Sequence, residues 1–246
     1  MVHLFQVIFY QPILNLLIFL YNVVPGESLG VAIILSTLVI KLVLLPLSHK
    51  SIKAQKALQD LQPKVDEVKS KYKDNKEQMG KAMMALYKEE KINPFSSCFP
   101  LLIQLPFLWA VFRVFRDGIE SNLHLIYSFI ATPESIHNMW FGINLSEPNI
   151  YLAILAGAAQ FWQAKMMVAK RPATQNNGGK GDSMTAIMNK QMVYFMPMIT
   201  VFIGLTLPGG LTLYWFVVTL FTALQQILVF KQTKKAKEAP VVIEQK

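Results

Sequence analysis

The sequence predicts an all-α integral membrane protein of five transmembrane helices with a cytoplasmic helical hairpin. Three observations point there. Of 246 residues, 53% are hydrophobic and only 16% charged, a composition too apolar for a soluble domain of this length. Five apolar runs after residue 27 approach the length of about 20 residues that a bilayer requires. Lysine and arginine cluster between those runs, so that 21 of 24 fall on one side of a five-span arrangement. The positive-inside rule makes that side cytoplasmic, with the N-terminus outside and the C-terminus in the cytoplasm.

Residues 1–27, MVHLFQVIFYQPILNLLIFLYNVVPGE, are strongly apolar and contain no lysine or arginine, which argues against a secretory signal. Gln6, Gln11, Asn15 and Asn22 roughly share one helical face. That pattern fits an extracytoplasmic amphipathic helix lying in the interface, with Pro25 and Gly26 turning into the first span. A sixth transmembrane helix is the rival reading of the same stretch.

The first span, 28–48, contains LGVAIILSTLVIKLVLLPL from Leu29 to Leu47, apolar except for Lys41 in its second half. Nineteen residues at helical rise give about 28 Å, close to a hydrocarbon core. An ammonium in such a helix costs roughly 2.5–3.5 kcal/mol, so an intramembrane cation points to function. Two readings stay open: Lys41 lines a wet interior, or its butyl stem lets the amine snorkel toward the interface near Ser48 and His49. Thr37 lies four residues earlier on the same face.

Residues 49–95 form the one long polar segment, with eleven lysines from Lys50 to Lys91 against seven acids. Leu58, Leu61, Val65, Val68 and Tyr72 recur at heptad-like spacing, and Met79, Met83 and Leu86 answer after a turn at Asp74 and Asn75. This is an antiparallel helical hairpin in which Pro63 should kink or restart the first arm. The second span, 96–116, holds Pro100, Pro106 and one polar interior residue, Gln104. An extracytoplasmic loop, 117–148, leads to the third span, 149–169, where Gln160 and Gln163 share a face and Ala156 to Ala159 allow close helix approach.

The cytoplasmic loop 170–190 is flexible by composition. Its GGKG lacks the spacing and the following Ser or Thr of a phosphate loop. Residues 191–230 supply the fourth and fifth spans, joined tightly by Pro208, Gly209 and Gly210. Thr212, Thr219, Thr222 and Gln226 make a semi-polar stripe on the last span, and 231–246 read as a basic, disordered tail.

Several function classes lack their residues. All fifteen carboxylates lie outside the expected spans, which argues against an ion-coupled transporter. A single cysteine, Cys98, provides no disulfide framework, no cysteine-rich metal site and, so far from the N-terminus, no lipoprotein anchor. No catalytic residues, cofactor or metal site are expected, and the chain does not read as an enzyme.

In order along the chain stand a basic residue before LLPL, a lysine-rich hairpin, NPFSSCFPLLIQLPF, WFGINLSEP and LPGGLTLYW. This series resembles the YidC/Oxa/Alb membrane protein insertases from about Gln11 to Lys231, in a short form without the large periplasmic domain of some bacterial members. The resemblance implies a bacterial plasma (inner) membrane protein whose five helices enclose a hydrophilic groove, open to the cytoplasm and lipid and closed outside. It implies that client proteins contact Lys41, Thr37, Gln104, Tyr214 and Trp215, with Gln160 and Gln163 as further groove candidates. The family usually has arginine where Lys41 stands; lysine keeps the charge and loses the forked donor geometry.

The implied activity is insertion of short hydrophilic tails or loops across the bilayer without nucleotide hydrolysis. The alternative is a folding and assembly chaperone working only alongside a Sec-type translocon. Implied partners are nascent membrane proteins, the lipid bilayer, a Sec translocon and the ribosome through the basic cytoplasmic regions, with no specific nucleic-acid sequence. For Tyr214 and Trp215, interface anchoring or core packing stays open, as do plain interhelical hydrogen bonds for the three glutamines.

Overall fold

A computed structural model describes residues 2–93, 99–168 and 190–238. Cys98 and the expected loop from 170 to 189 lie outside them. The first helix, α1 (His3–Val23), contains a π-helical turn at Gln6–Tyr10. Pro12 explains it: with no N–H to give the Ile8 carbonyl, the ladder slips one residue, and the Gln11 N–H reaches Gln6 O. The same slip precedes Pro197, where Met196 N–H bonds Gln191 O.

α2 (Leu29–Val43) is fifteen residues long, about 22 Å. The chain then bends 71° at Leu44 into α3 (Leu45–Lys71), ahead of the expected end at Ser48. Pro46 sits in the first turn of α3, where its missing N–H is harmless to the new helix and prevents continuation of the old one. α3 passes through Pro63 without restarting. Asn75 caps α4 (Lys76–Glu89) by accepting the Gln78 N–H at 3.0 Å. Leu61 and Val65 of α3 are buried, and Lys64 pairs with Glu90 across the hairpin.

α5 (Phe99–Arg116) carries Pro106 internally and ends where Arg113 and Arg116 both pair with Asp117, at 3.1 and 2.8 Å. The connection to α6 (Ile150–Met167) holds a 3-10 turn at Glu120–Leu125 and a two-residue-strand hairpin. In it β1 (Met139–Trp140) pairs antiparallel with β2 (Ile143–Asn144). Its turn residues Phe141 and Gly142 have φ of +46° and +77°. That is the left-handed pair of a type I′ turn, which suits Asn-Gly and costs a phenylalanine roughly 1–2 kcal/mol.

α7 (Gln191–Gly204) and α8 (Gly209–Glu238) complete the chain. The expected disordered tail at 231 is corrected here: α8 continues through Lys231 to Glu238, because QTKKAKE is made mostly of good helix formers. Residues 239–246 lie outside the described ones.

Helices α6, α7 and α8 pack as a tight triplet. A Cβ on Gly157 would stand 2.4 Å from Val201, and one on Gly204 2.9 Å from Ala153 Cβ, so both glycines set the approach of α6 to α7. The starts of α2, α6 and α8 meet at the β-hairpin. Gly209 and Gly210 donate their N–H groups to Glu147 O and Leu145 O, both at 2.8 Å, and the Trp140 indole fills the notch over Gly30.

Most of the described residues are helical. Two described helices, His3–Val23 and Gly209–Thr233, are long and apolar enough to cross a membrane, three if α2 and α3 form one bent span. Gln191–Gly204 is apolar but shorter.

Candidate functional site

Where α2 ends, α5, α6 and α8 close around Lys41. Its side chain is buried, at 8% exposure, and no carboxylate pairs with it among the described residues. The ammonium donates to Thr222 Oγ1 at 3.0 Å and to Gln104 Oε1 at 3.3 Å. Gln104 Nε2 in turn donates to the Tyr214 hydroxyl. Thr222 gives its own proton to Val218 O at 2.7 Å, which leaves its oxygen free to accept from the amine. The amine therefore points into the bundle, away from the snorkelling direction. Among the described residues two of its three N–H donors have partners.

These groups line a cavity of about 360 Å³, room for on the order of ten waters. Its wall mixes the polar side chains of Lys41, Ser48, Gln55, Gln104, Gln160, Gln163, Thr219, Thr222 and Gln226 with Leu44, Ile52, Ile103, Trp215 and Val218, and more of the lining surface is apolar than polar. Thr200 donates to Gln160 Oε1 at 2.7 Å, fixing that amide. Gln226 is 3% exposed, and its Oε1 meets no hydrogen-bond partner among the described residues. A buried amide acceptor without a partner costs about 1–3 kcal/mol, so the wall is incomplete in its own hydrogen bonding.

Thr37 stands apart. Its hydroxyl bonds Ile33 O at 2.6 Å, and Ser36 bonds Ala32 O at 2.6 Å; the amine's partners are Thr222 and Gln104 instead. Both border a separate apolar void of about 20 Å³, lined by Ile13, Leu17, Val111, Val114, Phe115 and Tyr214. The structure thus brings Lys41, Gln104, Gln160, Gln163 and Trp215 to one cavity. It puts Thr37 and Tyr214 in the packed layer on the side of the β-hairpin, with Tyr214 linked to the cavity through Gln104.

Thr222, Thr219 and Gln226 belong to the site and were not singled out as site residues by sequence. Their signal was the stripe at spacings of three and four on the last helix, which places them on one face. Ser48 bonds Gln225 Nε2 at 3.1 Å and ties α3 to α8 at the mouth.

A larger cleft of about 600 Å³ lies between α3, the end of α4 and the end of α8, lined by Lys53, Asp60, Lys64, Glu90, Gln232 and Thr233. Its signs are mixed: Glu90 beside Lys64 holds that amine above its ordinary value, and Lys56 pairs with Asp60 at 2.8 Å. It offers no concentrated charge to a ligand. Among the described residues no group of three or more His, Cys, Asp or Glu could hold a metal ion.

Residues 19–237 match the family described as the 60Kd inner membrane protein. The chain is 34% identical over 205 residues to a protein of Fusobacterium nucleatum named Membrane protein insertase YidC, covering 83% of this chain and 87% of that one. A Clostridium tetani protein of the same name is 35% identical over 211 residues, covering 86% of each. A Tolumonas auensis protein of that name is 35% identical over 225 residues, 92% of this chain. This chain spans only 36% of the Tolumonas protein's length.

Proposed function

Because this chain belongs to the 60Kd inner membrane protein family, we propose that it inserts client proteins into the inner membrane by lending their polar segments a half-deep hydrophilic cavity. The observation that carries this reading is Lys41, buried with no carboxylate partner among the described residues, on the wall of a cavity into which several amide and hydroxyl side chains converge.

In this reading α2, α5, α6, α7 and α8 span the membrane, and the cavity opens toward the α3–α4 hairpin and the cytoplasm. The apolar layer around Thr37, Val114 and Phe115 closes it toward the outside. α1 is apolar enough to be a sixth span, but its bonding supports an outer-surface position. Gln11 and Asn15 donate to Leu125 O at 3.0 and 3.1 Å, Asn15 accepts the Tyr127 N–H at 2.7 Å, and Asn22 donates to Ala131 O. Irregular backbone running along a helix is not tolerated facing acyl chains. Gln11, Asn15 and Asn22 of the α1 stripe are thus occupied by the outer connection.

A hydrophilic tail entering an intact bilayer loses its water, and each unsatisfied backbone group costs several kcal/mol. A cavity reaching Lys41 shortens the dry path. The third N–H of Lys41 and the amides of Gln104, Gln163 and Gln226 would replace water around carbonyl and carboxylate groups of the client. The client's apolar stretch would leave along the lipid-facing sides of α6 and α8, where Ile154, Leu155, Leu224 and Leu228 are exposed. Hydrophobic partition drives the step, with the membrane potential assisting an acidic tail. Purified protein in liposomes should insert a short-tailed client with no Sec channel and no ATP. Crosslinking to clients without insertion would favour the chaperone reading instead.

A further inference from the structure

The tip of the β-hairpin carries a feature the insertion reading leaves unused. Phe141 is 88% exposed and Met139 59% exposed, on a turn whose left-handed φ values favour Asn and Gly over Phe. A bulky residue held at positive φ is a backbone outlier, and this one has its ring in the open. No residue from Asn138 to Ser146 is charged.

The hairpin cannot swing away from the helix ends. Trp140 occupies the notch over Gly30, where an added Cβ would stand 2.3 Å from the indole. Leu145 O and Glu147 O accept the first N–H groups of α8. Phe141 packs edge-on against that fixed indole with ring centroids 5.1 Å apart. Its ring therefore stays within about one helical turn of the first turn of α2. If α2, α6 and α8 span the membrane, as in the reading above on which this rests, that level is the outer headgroup region.

We propose that Phe141 and Met139, held at this level by the fixed hairpin, form an anchor that inserts into the outer lipid interface. Aromatic side chains favour this level, and a neutral tip meets anionic headgroups without charge repulsion or attraction. The occupant is lipid.

The test uses the full chain in phosphatidylethanolamine and phosphatidylglycerol vesicles, with Cys98→Ser and a fluorophore on Met139→Cys. The dye should be quenched by a nitroxide on the lipid and be several-fold less sensitive to aqueous iodide than the same dye on Glu134→Cys. Phe141→Trp should preserve this, whereas Phe141→Asn should restore iodide quenching several-fold and leave unfolding in detergent unchanged or later. Iodide quenching at 139 equal to that at 134 overturns the anchor, and so does shielding from both quenchers, which would mean a protein covers the tip. A dye on Ile154→Cys separates the two readings. Failure of deep lipid quenching at 154 sinks the spanning of α6, while its success with an iodide-quenched tip sinks the anchor alone.

Discussion

Replacing Lys41 by methionine should separate stability from function. Methionine approximates the stem's volume while removing the charge, so the packing among α2, α5 and α8 survives. On the stability side, the ammonium gives up two hydrogen bonds, to Thr222 at 3.0 Å and Gln104 at 3.3 Å, each worth about 1.5–3 kcal/mol when one partner is charged. Against that stands a desolvation penalty of several kcal/mol for an amine buried without a counter-ion. The terms nearly cancel, provided water in the cavity takes over the Thr222 and Gln104 oxygens that lose the amine. Thermal unfolding in detergent should therefore be unchanged or later.

Insertion should move the other way. One charge-assisted bond to the client is lost, about 1.5 kcal/mol or more, which is roughly tenfold in rate if it is made at the barrier. The assay is protease protection of a short-tailed client in proteoliposomes, with Lys41→Arg as the charge-preserving control. Full insertion by the Met variant would remove the charge from the mechanism. A Met variant that unfolds early would refute the balance drawn above.

Thr222→Val removes the nearer acceptor of Lys41 at constant shape and should slow insertion less than Lys41→Met, as the same protection assay would read. Asn15→Leu leaves the Tyr127 N–H without its side-chain acceptor and Leu125 O with Gln11 as its remaining side-chain donor. It should destabilise by about 2 kcal/mol or more, seen as earlier thermal unfolding. Gly30→Ala forces the Trp140 indole out of its notch and should cost about 1–3 kcal/mol, with partial recovery in the double variant carrying Trp140→Leu. Burial alone would raise the Asp117 carboxyl, but the guanidiniums of Arg116 and Arg113 hold it below its usual 3.8. Its folded value is the lower one, so its contribution is present above 3.8 and fades as pH falls through the depressed value. The acid side of a stability profile should accordingly flatten in Asp117→Asn.

The hairpin of α3 and α4 is legible because heptad spacing and an Asn cap are local signals. Lys41 is legible because one charge interrupts an apolar run. Its partners are not: Gln104 and Thr222 lie 63 and 181 residues away, and no period along one helix says which face meets another. The stripe of α1 shows the same limit. Its spacing gives a polar face, but that the face meets loop carbonyls rather than water is a tertiary fact. The early end of α2 follows from Pro46, whose effect is local; the apolar run continuing past it hides the 71° bend. Helix from 231 to 238 escapes a composition reading because lysine-rich segments suit both a solvated helix and a coil.

Single cysteines at Gln163 and Thr219 on the cavity wall and at Ser36 in the apolar layer, each with Cys98→Ser, can be challenged from the cytoplasmic side with a membrane-impermeant thiol reagent. Fast labelling at 163 and 219 with slow labelling at 36 is the outcome a wet, inward-open cavity requires. Protection at all three would mean the interior around Lys41 is dry, and insertion through it would have no route.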